Sequence, residues 1–185
     1  MILFINASVK KASRTKRIAD RLLEKLAADD SAIEEIKLID VDFPKTDEDF
    51  LAWRDGCIAS NDFSDKYFDL AKQFAKADTV VIAAPYYDLS FPATLKQYIE
   101  HINVMGITFE YTPEGYPEAL CKADKLYYVM TAGGSFVPEE YGPGYIKSIA
   151  ESFYGIKDFT LIKALGLDVY GANVEGIVSS AIESI

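Results

Sequence analysis

Three short stretches carry the groups able to grip a ligand: Ala7-Ser8-Val9-Lys10-Lys11-Ala12-Ser13-Arg14-Thr15, Pro85-Tyr86-Tyr87-Asp88-Leu89-Ser90-Phe91-Pro92 and Thr131-Ala132-Gly133-Gly134-Ser135-Phe136. In the first, Ser8, Ser13 and Thr15 present hydroxyls just ahead of a helical pattern. Backbone N–H groups at a helix start suit a phosphate without a dedicated lysine. Ser13 alone would serve as an ordinary N-cap, but a cap does not call for a second serine five residues earlier. The aromatics of the second stretch can wall a flat ring. The paired glycines of the third let backbone N–H groups approach the polar edge of such a ring.

Other chemistries lack their residues. No G-x-G-x-x-G follows the first strand pattern, and no G-x-x-x-x-G-K-[ST] occurs, which disfavours a standard dinucleotide fold and an ATPase. A phospho-receiver domain would want an acidic pair after the first strand and an aspartate ending the third; Asn6-Ala7-Ser8 and Ala84-Pro85 stand there. Cys57 and Cys121 form neither a metal-ligand spacing nor a disulfide framework, so no metal site is expected and a reducing cytosol is the simplest compartment. The one histidine, His101, falls inside a helical pattern beside Ile99 and Ile102, where packing is its simplest role.

The elements that must position these stretches are legible as periodicity. Ile2-Leu3-Phe4-Ile5 and Thr79-Val80-Val81-Ile82-Ala83-Ala84 are continuous apolar runs, as expected of strands covered on both faces. Ile33–Ile39, Leu126–Met130 and Phe159–Leu165 read as three further strands. Between them lie helical patterns: Arg14 to Ala28, Phe63 to Ala77 with Asp62 as cap, Pro92 to before Gly106, Pro143 to Gly155, and Val174 to Ile185. Five strands alternating with helices predict an α/β fold with a parallel sheet and helices on both faces. Such a sheet binds ligands beyond the C-terminal ends of its strands, where all three stretches fall. Residues 40–62, which include Trp53, are expected to form a long acidic connection, and residues 107–124 a loop or short hairpin; connections of that length commonly serve a site.

Composition narrows the partners. The 185 residues fit one domain spanning 1–185, and half of them are hydrophobic, as in an ordinary globular chain. Nineteen basic against 29 acidic residues leave a net charge of −10, which disfavours nucleic acid and anionic membranes. No run approaches the roughly 18 apolar residues of a membrane span. The opening run Met1–Ile5 is too short for a signal peptide and has no basic segment before it.

Pro85-Tyr86-Tyr87, then Phe91-Pro92-Ala93-Thr94-Leu95-Lys96-Gln97-Tyr98-Ile99-Glu100, then Gly106-Ile107-Thr108-Phe109-Glu110-Tyr111-Thr112 carry a resemblance. The chain resembles, over most of its length, the flavodoxin-like NAD(P)H-dependent quinone reductases and FMN-dependent azoreductases. The resemblance implies a flavodoxin-like three-layer sandwich with strand order 2-1-3-4-5. It implies FMN, or FAD, as cofactor and NAD(P)H as co-substrate, with two-electron reduction of a quinone, azo compound or similar electron-poor acceptor. By the same likeness Ser8, Ser13, Arg14 and Thr15 would hold the phosphate, and Pro85, Tyr86, Tyr87, Asp88 and Leu89 would line the isoalloxazine ring. Thr131, Ala132, Gly133, Gly134 and Ser135 would face its pyrimidine side. Phe109 and Tyr111 are candidates for a substrate wall, or equally for core packing of the hairpin. No side chain would act as nucleophile. The family commonly forms homodimers in which each site is completed by the other subunit, and a cytoplasmic location is expected. The chain departs from the azoreductase pattern at Asp88, where asparagine is usual, and near Ala132, where an arginine is usual. Two other readings stay open: a flavodoxin-type electron carrier, whose acidic surface would suit basic redox partners, and a cofactor-free flavodoxin-like interaction protein.

Overall fold

The computed structural model describes residues 1–27 and 31–185; Ala28, the expected end of the first helix, lies outside them. Five parallel strands form the central sheet: β1 (Ile2–Asn6), β2 (Ile33–Lys37), β3 (Thr79–Ala83), β6 (Lys125–Thr131) and β7 (Asp158–Ala164), in the order β2-β1-β3-β6-β7. Counted among the five alone, this is the expected 2-1-3-4-5. The remaining strands, β4 (Phe109–Tyr111) and β5 (Pro117–Ala119), pair antiparallel as a separate hairpin within residues 107–124.

Strand periodicity sorts the core into two halves. Leu3 and Ile5 of β1, Val80 and Ile82 of β3, and Leu126, Tyr128 and Met130 of β6 face one side. There they pack under α3 (Asp69–Lys76), α4 (Ala93–Ile102) and α5 (Pro143–Phe153). Ile2 and Phe4, Val81 and Ala83, and Val129 face the other side, under α1 (Arg14–Leu26) and α6 (Val174–Glu183). Because side chains alternate along a strand, a strand between two helical layers must be apolar at every position. This is why β1 is buried throughout. The result is a three-layer sandwich.

The structure corrects three local expectations. The strand predicted to reach Ile39 stops at Lys37 and turns into a 3₁₀ segment, Leu38–Asp40, whose Leu38 still reaches the core beside Ile36. The helix predicted from Phe63 starts later, with a 3₁₀ turn at Lys66–Phe68 ahead of α3. Its cap is Asp65, which accepts from the Tyr67 N–H at 2.8 Å, whereas Asp62 accepts from the Ser64 N–H and closes the preceding turn. Residues 40–62 are not merely a connection: Glu48–Ser60 form α2. Asp47 caps it by accepting from the Phe50 N–H, and Asn61 ends it in the left-handed conformation at φ 53°. No residue of α2 is fully buried. The helix is attached through aromatic contacts, Phe50 and Trp53 each packing edge-on against Tyr67, with Trp53 stacked on Phe68. Among the described residues no helix is long and apolar enough to cross a membrane.

Candidate functional site

With β1, β3 and β6 as neighbours in the sheet, the loops that follow them must meet at one edge. They do so around a cleft of about 260 Å³, lined by Ser8, Ser13, Arg14, Thr15, Pro85, Tyr86, Tyr87, Thr131, Ala132 and Gly133 among the residues expected there. Asp88, Leu89, Gly134 and Ser135 do not line it. Val9, Lys10 and Ala12 of the first stretch also line it, as do Leu167 and Asp168, which no motif singles out.

The first loop is built from the end of β1. Asn6 is held by a hydrogen bond from its Nδ2 to Glu35 Oε1, and its own Oδ1 accepts from the Ser8 N–H at 2.9 Å. That contact turns the chain so that Ser8 Oγ meets Ser13 Oγ at 3.0 Å. Ser13 simultaneously caps α1, accepting from the Lys16 N–H at 3.1 Å. The cap and the paired hydroxyls are therefore one structure. No acidic side chain stands in the first turn of α1. Six of the chain's 19 lysines and arginines lie between residues 10 and 21, against the single acid Asp20. A protein of strongly negative net charge thus keeps a positive corner at the helix end that already favours anions. Thr15 contributes differently from expectation: its Oγ1 lies 2.7 Å from Thr131 Oγ1 in a buried hydrogen bond joining α1 to β6.

The second loop is anchored at Tyr86. Its N–H donates to the Thr131 carbonyl at 2.8 Å and its hydroxyl to the Pro138 carbonyl at 2.8 Å. Burial and the nearby Glu140 and Tyr141 raise the pKa of that phenol, so it remains a donor at neutral pH. Tyr87 and Ser90 then exchange two backbone hydrogen bonds, of 3.0 and 2.7 Å, across a two-residue turn. Asp88 and Leu89 both have positive φ, 49° and 66°, the signature of a type I′ turn. The Asp88 side chain sits at the exposed tip of that turn, away from the cleft lining.

The third loop is clipped by a fourth that follows β7. The carbonyls of Ala132, Gly133 and Gly134 accept from the N–H groups of Leu167, Asp168 and Gly166 at 3.1, 2.9 and 2.9 Å. A Cβ at Gly133 would overlap the Asp168 carboxylate, so a side chain there would displace Asp168 from its present seat. The other oxygen of Asp168 lies 3.2 Å from Arg14 Nη1.

Phe109 is buried in the core of the hairpin, edge-on to Phe153 at 4.9 Å, and Tyr111 is exposed; neither lines the cleft. His101 is buried against Phe43 and Tyr67, with Nε2 2.7 Å from the Tyr67 carbonyl, the packing role expected of it. It borders a separate cavity of about 330 Å³ beside α2. That cavity shares no residue with the cleft. Among the described residues no group of three or more His, Cys, Asp or Glu could hold a metal ion.

Comparison with known proteins agrees with this architecture. An FMN-dependent NADH:quinone oxidoreductase of Clostridium perfringens is 38% identical over 191 residues, covering 98% of this chain and 94% of the relative. A relative of the same description from Clostridium beijerinckii is 40% identical over 191 residues, with the same coverage. Among solved structures, an azoreductase from Bacillus anthracis str. Sterne superposes with a TM-score of 0.81 over 99% of this chain and 95% of that one, at 24% identity. A family model described as a flavodoxin-like fold matches residues 1–185, and the chain belongs to that flavodoxin-like family.

Proposed function

We propose that this chain is an FMN-dependent NADH:quinone oxidoreductase that also accepts azo compounds and similar electron-poor acceptors. The observation that carries the reading is the junction of Ser8 and Ser13 hydroxyls, 3.0 Å apart, at the N-terminus of α1 inside a cleft shared by the three loops. Two hydroxyls, the first N–H groups of α1 and Arg14 form a donor set suited to a phosphomonoester. The wide cleft beyond them, with Pro85 and Tyr87 on one side and Ala132 and Gly133 on the other, fits a flat heteroaromatic ring. The residues present therefore fit FMN.

Ser8, Ser13, Arg14 and Thr15 hold the phosphate end, with Thr15 acting through its backbone N–H because its hydroxyl is bonded to Thr131. Pro85, Tyr86 and Tyr87 form one wall of the ring site. The turn at Asp88 and Leu89 leaves those two N–H groups outside its own pair of hydrogen bonds, at the rim beyond the cleft lining. Thr131, Ala132 and Gly133 form the opposite wall, where backbone N–H groups offset negative charge at the pyrimidine side. The chemistry FMN supplies when bound is two-electron transfer between a nicotinamide and the acceptor. The chain's own work is to fix the ring, leave one face open and stabilise charge; the site needs no side-chain nucleophile.

The chain acts as one flavodoxin-like domain, in the cytoplasm, as a homodimer. Exposed Tyr87, Phe136 and Tyr141 on the loops around the cleft, with Tyr111 and Tyr116 on the hairpin, supply the apolar surface a second copy would cover. Tyr111 then walls the site of the other subunit.

Purified protein should be yellow, release FMN on denaturation, and oxidise NADH in the presence of a simple benzoquinone. Protein whose fluorescence and melting temperature ignore saturating FMN and FAD would remove the basis of the assignment. Flavin binding without NADH oxidation would leave an electron carrier.

A further inference from the structure

We propose that Asp168 tunes the phosphate end of the cleft by competing with an incoming phosphomonoester for Arg14. The inference rests on the flavin reading above and specifies a residue that no motif in the sequence marks.

The geometry gives Asp168 a built position. Its N–H donates to the Gly133 carbonyl at 2.9 Å, and its carboxylate lies over the Cα of Gly133, in the space a side chain there would fill. From that seat one carboxylate oxygen reaches Arg14 Nη1 at 3.2 Å. Arg14 is the first residue of α1, next to Ser13, and both members of the pair line the same cleft as Ser8 and Ser13. The guanidinium that a phosphate would recruit is therefore already matched to an anion. The next arginine along the helix repeats the pattern, as Arg17 pairs with Glu175 at 2.8 Å.

Two electrostatic effects act in the same direction. A phosphate entering beside Ser8 and Ser13 must share Arg14 with Asp168. It also meets the Asp168 negative charge at close range. Both lower affinity for phosphorylated ligands and leave the unphosphorylated ring unaffected. Asp168 thereby sets how strongly FMN is preferred over riboflavin, and favours an exchangeable flavin over a permanently held one. Both side chains are well exposed, at 45% and 74%, so solvent screening keeps the effect moderate.

The test compares FMN with riboflavin, which carries the same ring without the phosphate, by fluorescence titration of the intact chain at low salt. Asp168→Asn keeps the shape and removes the charge. Its expected effect is FMN affinity about twofold to fivefold tighter, the worth of an exposed charge pair, with riboflavin affinity unchanged. The gain should shrink in roughly 0.5 M salt, where the screening length is only a few ångströms. It should also shrink in an Arg14→Ala background, because competition for Arg14 is then lost. Weaker FMN binding by Asp168→Asn would mean that Asp168 presents Arg14 to the phosphate, and would overturn the proposal. An equal change for FMN and riboflavin would show a structural role and overturn it as well. Wild-type protein that binds FMN, with Asp168→Asn indistinguishable from it, defeats this inference alone; wild-type protein that binds neither flavin defeats the functional reading first.

Discussion

Thr15 Oγ1 and Thr131 Oγ1 meet at 2.7 Å in the interior, tying the first turn of α1 to the last residue of β6. The pair joins two walls of the cleft, since Thr131 also offers its carbonyl to Tyr86 N–H at 2.8 Å. Through these contacts Thr131 joins all three loops of the cleft. Removing either hydroxyl leaves the other buried without its partner, a loss of about 1–3 kcal/mol. Thr15→Val and Thr131→Val should each lower the unfolding free energy by that amount. The double variant should cost clearly less than the sum, because it leaves no orphan. Additive losses in chemical denaturation would show that the two hydroxyls are not coupled.

The turn at Asp88 and Leu89 stores strain. A leucine at φ 66° places its Cβ against its own carbonyl, and glycine avoids this. Leu89 is 44% exposed, so little packing is lost on truncation. Leu89→Gly should raise stability by about 1 kcal/mol, the left-handed penalty less the added freedom of the unfolded chain. A lower melting temperature for this variant would mean that the Leu89 side chain contributes more than its exposure suggests.

His101 makes stability depend on pH. Burial lowers its pKa below the ordinary 6.5, only partly opposed by the hydrogen bond to the Tyr67 carbonyl. Above pH 6.5 the ring is neutral in both folded and unfolded chains, and its contribution is constant. Below 6.5 the unfolded chain takes up a proton that the folded chain resists, so stability falls until the lower folded pKa is reached. Urea unfolding between about pH 5 and 7.5 should show this slope for wild type and a shallower one for His101→Gln. Equal slopes would place the responsible group elsewhere.

The fold was legible because its strands and helices obey simple periods. Ile2 to Ile5 and Thr79 to Ala83 are apolar at nearly every position, and the sheet covers both their faces. Helix α2 escaped because its inward face, Phe50, Leu51, Arg54, Cys57 and Ile58, is interrupted by a charge and only half-buried, while Trp53 sits beside it on the exposed side. Its ends were nonetheless signalled by Asp47 and Asn61. Of the site, Ser8 and Ser13 were recognisable because a cap needs only one of them. Asp168 was not, since its partner Arg14 lies 154 residues away and a lone aspartate after the last strand has no pattern. For Phe109 the packing alternative is the one realised within this chain, where it lies against Phe153.

Ser13 offers a way to separate folding from binding at one atom. It caps α1 by accepting from Lys16 N–H, and it faces Ser8 Oγ in the proposed phosphate cradle. Aspartate is as good an N-cap as serine, and its charge suits the helix dipole. Ser13→Asp should therefore keep the melting temperature within a degree or two of wild type. The same carboxylate would stand where the phosphate binds, and a like charge a few ångströms away should weaken FMN by roughly tenfold or more. Ser13→Ala gives the complementary outcome: loss of the cap lowers stability by about 1 kcal/mol, while FMN affinity falls less than with aspartate. Riboflavin, with no phosphate to repel, should bind the aspartate variant as it binds wild type. If Ser13→Asp leaves FMN affinity intact while the fold is retained, the phosphate sits somewhere other than the N-terminus of α1, and the assignment of Ser8 and Arg14 falls with it.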